Sequence, residues 1–233
     1  MTSRTNEHGQ PIGPAVDDWV PCPFPDVTPM TGQWCRIEPI ITEHADELYE
    51  ELCGPGNDDL WTYLPREMPV DRAELAEHVE ERSLATDSVT VVVRDAGGVA
   101  AGMASYLRID QGNGSVEIGW IALGRRLQRT TAATEAQFLL ARHVFSLGYR
   151  RYEWKCDALN EPSRRAAQRL GFTYEGRFRQ AVVHKGRNRD TDWFSIVDSE
   201  WPALAAAYDA WLAPDNQVEG RQVRSLEEIR AGG

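Results

Sequence analysis

The chain has 233 residues, of which 42% are hydrophobic and 26% are charged, and its formal net charge is −11. This length and composition are typical of one globular domain with flanking segments, and they argue against a collagen, a coiled coil or a disordered chain. No run approaches the roughly 18 apolar residues of a membrane span and the first residues lack the apolar core of a signal peptide, so we expect a cytoplasmic protein without a membrane partner.

Composition divides the chain into three segments. Residues 1–35 are rich in proline, which prevents regular helices and central strands, and we predict an irregular N-terminal arm there. Residues 36–213 alternate between helical and strand patterns and are predicted to form the folded domain. Residues 214–233 follow a proline and are polar, so we expect a loosely held C-terminal tail.

Hydrophobic spacing predicts the elements of the middle segment. Tight turns make the first three strands antiparallel, whereas strands joined through a long helix are expected to be parallel, which gives a mixed α/β sheet with packed helices. In chain order, the predicted elements are helices 42–53 and 71–84, strands 89–94, 99–109 and 115–123, helix 132–147, strand 152–156, helix 161–170, strands 172–184 and 191–199 around a turn at 185–190, and helix 201–212.

The four cysteines are Cys22, Cys35, Cys53 and Cys156, and they are widely spaced. They form no Cys-x-x-Cys pair and have no histidine at metal-ligand spacing, so we predict neither a metal site nor a disulfide framework. Buried structural thiols are the ordinary alternative.

Charge is distributed unevenly along the chain. Residues 125–190 contain 15 Lys and Arg against 6 Asp and Glu, so the rest of the chain carries a charge of −20. A basic stretch inside an acidic protein is typical of an anion site, although solvated arginine faces produce the same pattern. The acidic total argues against a general nucleic-acid partner.

The strand 115–123 leads into a basic loop that opens the long helix. The first N–H groups of a helix lack intrahelical partners and its dipole adds partial positive charge, so this junction is a candidate phosphate site. Arg126 and Arg129 in the loop, and Arg164 and Arg165 in the next helix, are candidate phosphate ligands.

The segment 128–136 (Gln-Arg-Thr-Thr-Ala-Ala-Thr-Glu-Ala) resembles the pyrophosphate loop of the GNAT N-acetyltransferase superfamily, whose usual form is Gln/Arg-x-x-Gly-x-Gly/Ala. Asn160-Glu161-Pro162-Ser163, Leu170-Gly171-Phe172, Glu175-Gly176 and Asp198-Ser199-Glu200-Trp201 make the chain similar to the ribosomal-protein (RimJ/RimL) branch over roughly residues 36–200. The resemblance implies the GNAT fold, a mostly antiparallel twisted mixed sheet with a parallel splayed pair and helices on both faces. It also implies an acetyl-CoA-dependent acyltransferase.

The resemblance further implies which residues hold acetyl-CoA. Backbone groups of the strand would hold the pantetheine and polarise the thioester carbonyl, Asn160 would contact the pantetheine, and Ser163 would protonate the departing thiolate. Helix capping is the alternative for Asn160 and Ser163. The implied cofactor-binding residues are Ile121, Leu123, Gln128, Arg129, Thr130, Thr131, Ala132, Ala133, Asn160 and Ser163.

The loop departs from the family pattern at two positions. Thr131 stands where the first loop glycine is usual, and Arg129 stands where another glycine is common. Because a β-branched residue resists positive φ, we expect right-handed backbone angles or a reshaped loop, with the Thr131 hydroxyl capping the helix or reaching a phosphate.

Glu117 is the candidate general base. If the strand alternates regularly, Glu117 shares a face with Gly119, Ile121 and Leu123, and apolar neighbours raise its pKa toward neutrality. An exposed or salt-bridged strand glutamate is the alternative. The resemblance also implies that the acceptor enters beside the loop between the first two helices, which makes Trp61 and Tyr63 the candidate lining of the acceptor pocket. Packing is the alternative for both.

The sequence therefore predicts transfer of acetyl from acetyl-CoA to a primary amine, either a protein N-terminus or a small molecule, with no metal ion. The acidic residues of helix 42–53 and the following loop favour a cationic acceptor. Two alternatives stay open: a non-catalytic acyl-CoA sensing module, and a ribosome- or RNA-associated protein using the basic hairpin at 177–189. The sequence is also compatible with a homodimer.

Overall fold

The computed structural model describes residues 4–218 and 221–232. Its centre is an eight-stranded sheet in the order β1-β2-β3-β4-β5-β6-β8-β7. Its strands are β1 (Met30–Thr31), β2 (Arg36–Pro39), β3 (Val89–Arg94), β4 (Ala100–Asp110), β5 (Ser115–Leu123), β6 (Arg151–Asp157), β7 (Thr173–His184) and β8 (Arg187–Val197). Two minor hairpins pair Arg4–Thr5 with Pro11–Ile12 and Gln217–Val218 with Arg221–Gln222.

Helices cover both faces of this sheet. They are α1 (Ala45–Cys53), α2 (Arg72–Ser83), α3 (Thr131–Ser146), α4 (Glu161–Arg169), α5 (Trp201–Leu212) and α6 (Leu226–Ala231), with short 3-10 turns at Thr42–His44, Asp58–Trp61 and Pro214–Asn216. Apolar residues of α1 and α2, such as Leu48 and Val79, form one core, whereas α3 and α5 contribute Leu140 and Trp211 to the other. The predicted mixed α/β fold is confirmed.

One strand pair positions the candidate site. β5 and β6 are parallel, but their register extends only from Ser115–Glu117 to Arg151–Glu153. Beyond that point the two strands separate, while β6 continues to pair with β8 as far as Asp157. The predicted splayed parallel pair is therefore present, and the C-terminal halves of β5 and β6 border a gap.

The described parts of the N-terminal arm and the C-terminal tail are more ordered than the sequence predicts. In the arm, β1 adds a short strand beside β2. The prediction of a loosely held tail is wrong for the described residues, because Ser225 and Glu228 form a capping box for α6 and Leu226 is fully buried. The predicted turn at 185–190 is also too long. β7 ends at His184, as predicted, but β8 already begins at Arg187, so the turn consists of residues 185–186.

Among the described residues, none of the helices has the length and apolar character needed to cross a membrane.

Candidate active site

A β-bulge interrupts the middle of β5. Met103 of β4 pairs with Ala122 and Ser105 pairs with Gly119, so β5 contains one residue more than β4 over this stretch. Trp120 adopts a φ of 49° there, in the left-handed region. This conformation costs a bulky L-residue about 1–2 kcal/mol, so tertiary packing must hold the bulge in place.

The bulge reverses the alternation of side chains along β5. Val116 and Ile118 pack in the core with α3, and so do Ile121 and Leu123, whereas Trp120 packs in the core with α1 and α2. Across the bulge, residues an odd number of positions apart, such as Ile118 and Ile121, thus lie on the same face of the sheet. The prediction that Glu117 shares a face with Ile121 and Leu123 is wrong, because it assumed an unbroken period of two.

Glu117 is a buried acid held next to cations. Its side chain is 3% exposed, and its Oε2 lies 3.0 Å from Lys155 Nζ and 3.6 Å from Arg108 Nε. Burial raises the pKa of Glu117 above the usual glutamate value, although Lys155 and then Arg108 act to lower it. From the sequence alone, a raised pKa and a salt bridge are alternatives for Glu117, and in the structure both are present.

Gly119 makes room for the Glu117 carboxylate. A Cβ at position 119 would lie 2.9 Å from Glu117 Oε1 and 2.8 Å from a methyl of Leu107. A side chain at this position would collide with the carboxylate, which lies over the glycine.

The loop after β5 is fixed by backbone bonds and by one amide. Gly124 N–H donates to Ala101 O, and Gln128 Nε2 donates to Leu123 O at 2.9 Å. Gln128 therefore supports the loop, and its side-chain donor already has a partner.

Thr130, and not Thr131, caps the long helix. The Thr130 hydroxyl accepts from Ala133 N at 3.2 Å, and Thr131 is the first helical residue. The positive φ of the loop falls on Arg129, at 60°. Thr131 thus avoids the strained conformation, and the expectation that its hydroxyl caps α3 is wrong.

Several donors converge at the start of α3. In the part of the chain that the structure describes, the backbone N–H groups of Arg129, Thr131 and Ala132 have no hydrogen-bond acceptor. The Arg129 side chain is exposed and makes no ion pair with a described carboxylate. Free N–H groups, a helix N-terminus and a guanidinium together favour a phosphate group.

The other candidate phosphate ligands have carboxylate partners. Arg126 pairs with Glu51 at 3.1 Å, and Arg164 pairs with Asp192 at 2.8 Å. Arg165 Nε lies 3.7 Å from a Glu161 oxygen. Arg129 is therefore the best placed of the four arginines.

Asn160 and Ser163 lie where β6 leads into α4. Asn160 Oδ1 accepts from Ser163 N at 3.2 Å, so the residue caps the helix as its alternative role predicts. Ser163 Oγ accepts from Trp154 Nε1 at 3.1 Å. Burial raises the pKa of Cys156 to about 11, and a hydrogen bond from Ser163 acts against that rise, which places the serine hydroxyl beside a sulfur atom.

The two candidate acceptor residues have different surroundings. Trp61 is buried, its indole N–H donates to Leu52 O at 2.9 Å, and its edge lines a cavity of about 220 Å³. Tyr63 donates its hydroxyl to Leu159 O at 3.2 Å, next to Asn160. Tyr63 therefore lies beside the β6–α4 loop, whereas Trp61 is mainly a packing residue.

Sequence reasoning missed the cations and the ring around Glu117. Arg108 and Lys155 lie 5.0 Å and 5.4 Å from the centroid of the Trp193 ring. The rarity of lysine was the one sequence signal that could have pointed to Lys155, because the chain has two lysines, Lys155 and Lys185, among its 25 positive residues. Lys185, in the β7–β8 turn, donates to Trp61 O at 2.6 Å.

All four cysteines are buried free thiols. Over residues 4–218 and 221–232, no three His, Cys, Asp or Glu side chains are grouped in a way that could hold a metal ion.

Curated relatives match part of the chain. An uncharacterised N-acetyltransferase, p20 of Bacillus licheniformis, is 34% identical over 113 residues, which is 48% of this chain and 62% of that protein. The protein of Bacillus subtilis (strain 168) named "Putative ribosomal N-acetyltransferase YdaF" is 32% identical over 106 residues, 45% of this chain and 57% of its own length. The matches thus span less than two thirds of either relative.

A solved structure matches almost the whole chain. The GCN5-related N-acetyltransferase from Brucella melitensis is 46% identical, with a TM-score of 0.91 over 93% of this chain and 100% of that one. The family model described as an acetyltransferase (GNAT) domain matches residues 35–173, which include the bulged strand β5, the loop 124–130 before α3 and the Asn160 cap. The chain therefore belongs to the GNAT acetyltransferase family.

Proposed function

We propose that this protein transfers the acetyl group of acetyl-CoA directly to a primary amine, with Glu117 as the general base. The observation that carries the proposal is the position of Glu117, a buried carboxylate on the last paired residue of β5 before it separates from β6. A base needs a pKa near the working pH, and burial shifts that of Glu117 in this direction.

The residues at the start of α3 suit the diphosphate of acetyl-CoA. The unpaired N–H groups of Arg129, Thr131 and Ala132 are donors for phosphate oxygens, and the Arg129 guanidinium adds positive charge. Thr130 and Ala133 support this set through the helix cap. When bound, acetyl-CoA supplies an acetyl group activated as a thioester.

The pantetheine arm would then extend along the gap between β5 and β6. Ile121 and Leu123 belong to the C-terminal half of β5 on one side of this gap, and Asn160 and Ser163 belong to the cap and first turn of α4, which follows β6. A backbone N–H of the bulged strand is suited to stabilise negative charge on a carbonyl oxygen.

The chemistry requires two proton transfers. A bond forms between the amine nitrogen and the acetyl carbon and the carbon–sulfur bond breaks, so one proton leaves nitrogen and one reaches sulfur. Glu117 accepts the first. Ser163, whose oxygen accepts from Trp154 and whose hydroxyl hydrogen-bonds to Cys156, would deliver the second on releasing the bond to Cys156.

The proposed acceptor class rests on a sequence relative more than on charge. The Bacillus subtilis relative is named a putative ribosomal N-acetyltransferase, and on that ground we propose an amine of a ribosomal protein, such as its N-terminus, as the acceptor. The acidic residues that favoured a cationic acceptor are mostly paired, since Glu51 contacts Arg126 and Asp59 contacts Arg125. We propose that the amine approaches past Tyr63 and the cavity edge at Trp61.

The first test replaces the base. Glu117→Gln keeps the shape of the side chain but cannot accept a proton, so we expect kcat to fall by about 10²–10⁴-fold. Thiol release from acetyl-CoA is measured with peptides that carry a free N-terminal serine or alanine and with spermidine. Affinity for CoA, measured by titration calorimetry, should stay unchanged.

The matched control is Glu153→Gln. Glu153 faces Glu117 across the β5–β6 register and is also buried, but Arg151 holds it at 2.6 Å. The Glu153→Gln variant should therefore retain far more activity than Glu117→Gln. Equal losses in both variants would remove Glu117 from the base role. Binding of CoA without thiol release from any amine would support the sensing alternative, and no binding at millimolar CoA would exclude both.

A further inference from the structure

Both cations next to Glu117 contact the same carboxylate oxygen. Lys155 Nζ and Arg108 Nε lie 3.0 Å and 3.6 Å from Oε2. Oε1 lies over Gly119, where a Cβ would be 2.9 Å away. The two oxygens therefore differ: Oε2 is held by positive charge, and Oε1 lies over Gly119.

The position of the Lys155 ammonium is itself fixed from the neighbouring strand. Trp193 of β8 is the register partner of Lys155, and its ring centroid lies 5.4 Å from the ammonium. Phe178 packs on the same ring at 5.2 Å. A cation over an aromatic face is attracted by the ring quadrupole, so Trp193 restrains the lysine toward Glu117.

The residue type matters at this position. Apart from Lys155 and Lys185, all positive residues of the chain are arginines. A guanidinium presents a planar fork that binds both oxygens of a carboxylate, whereas an ammonium is a compact charge that can pair with one. Lysine can thus hold Glu117 without covering the oxygen that lies over Gly119.

We propose that Lys155 is a positioning residue for Glu117: its ammonium holds Oε2, keeps the buried carboxylate ionised, and leaves Oε1 free to accept the proton of the acceptor amine. This inference rests on the proposed function, because the role has meaning only where Glu117 is the base.

The charged groups that face Glu117 determine the pH dependence. Burial raises the pKa of Glu117, Lys155 and Arg108 lower it, and Glu153 raises it. Lys155 is the stronger of the two opposing cations. Its removal therefore raises the pKa further, and a smaller fraction of the base is ionised on the acid side of the pH profile.

The kinetic experiment compares Lys155→Met and Lys155→Arg with the wild type. The pH dependence of kcat/KM is measured with the amine that releases thiol fastest in the panel above. We expect Lys155→Met to lose about tenfold or more on the acidic limb and to recover as the pH rises, because one pKa unit corresponds to a factor of ten. Lys155→Arg should restore the position of the limb. An unchanged limb in Lys155→Met would overturn the proposal.

A second measurement does not need an acceptor. In protein labelled with carboxyl-13C glutamate, the Glu117 signal is identified by its absence in Glu117→Gln, and its titration is followed by NMR. We expect it to titrate at higher pH in Lys155→Met and at the wild-type pH in Lys185→Met. An unchanged titration overturns the role of Lys155 even where Glu117 proves essential. A shifted titration with full activity in Glu117→Gln would instead overturn the proposed function.

Discussion

Backbone strain is concentrated around the candidate site. Among the described residues, six non-glycine residues have positive φ, and three of them are Arg108, Trp120 and Arg129. Arg108 contacts Glu117, Trp120 forms the bulge, and Arg129 directly precedes Thr130, the cap of α3. Such conformations persist only where the surroundings enforce them, and they are common at functional sites.

Two substitutions of Arg129 separate the effect of its backbone strain from the effect of its positive charge. Arg129→Gln removes the guanidinium but keeps a side chain at positive φ, whereas Arg129→Gly removes both. We expect both variants to bind CoA more weakly, because each lacks the charge next to the free N–H groups. Arg129→Gly should be more stable than Arg129→Gln by about 0.5–1 kcal/mol, since relief of the left-handed conformation exceeds the entropy cost of glycine. Urea unfolding and calorimetry with CoA test this, and equal CoA affinity in the wild type and both variants would remove Arg129 from the phosphate site.

At the scale of elements, the sequence predicts the bounds of helices and strands better than it predicts long-range contacts. β3, β5 and α5 match the predicted ranges 89–94, 115–123 and 201–212, because hydrophobic period and turn residues are local. The bulge at Trp120 could not be predicted, since it depends on the register with β4. Partners such as Lys155 and Glu117, 38 positions apart, meet only through the parallel pairing of β5 and β6.

The N-terminal arm is attached to α3 by another long-range contact. The Glu135 carboxylate accepts backbone N–H bonds from Gln33, Trp34 and Cys35 at 2.7, 2.7 and 2.9 Å. Gly32 is required beside it, because a Cβ there would lie 2.3 Å from a carboxylate oxygen. One carboxylate on the long helix thus anchors the proline-rich arm, in which strand pairing is limited to two-residue segments.

Loss of this carboxylate should release the arm. Hydrogen bonds to charged groups contribute about 1.5–3 kcal/mol each and are not additive, so we expect Glu135→Ala to destabilise the protein by about 3 kcal/mol. The melting temperature should fall by roughly 6–12 °C, and buried Cys35 should become reactive to a thiol reagent. Arg142→Ala, an exposed change on the same helix, is the control. A Cys35 thiol that stays protected in Glu135→Ala would contradict the attachment.

For the whole molecule, the uneven charge along the sequence is largely neutralised by folding. Basic residues of 125–190 pair with acids of other segments, as in Arg125 with Asp59 and Lys155 with Glu117. Within the basic stretch, Arg151 also pairs with Glu175. The excess charge near the proposed phosphate site is therefore local and centres on Arg129.

Asp192 shows how these pairs connect elements. Its carboxylate on β8 is fully buried and contacts Arg177 Nε of β7 at 2.7 Å and Arg164 Nε of α4 at 2.8 Å. Hydrogen bonding to Arg177 lowers the pKa of Asp192 below its usual value of 3.8. The charge of Asp192 therefore stabilises the fold fully above pH 3.8, and this contribution is lost as the pH falls through the lowered pKa.

Asp192→Asn should make stability less dependent on pH. At pH 7 we expect a loss of about 2 kcal/mol, because two guanidinium groups lose a charged acceptor. The difference from the wild type should narrow as the pH falls through the lowered pKa of Asp192, where the native aspartate becomes protonated. Urea unfolding at pH 7 and near pH 3 tests this, with Asp198→Asn, whose exposed pair with Arg150 spans 3.9 Å, as the control expected to change little. A difference that stays constant with pH would mean that Asp192 acts through packing and not through its charge.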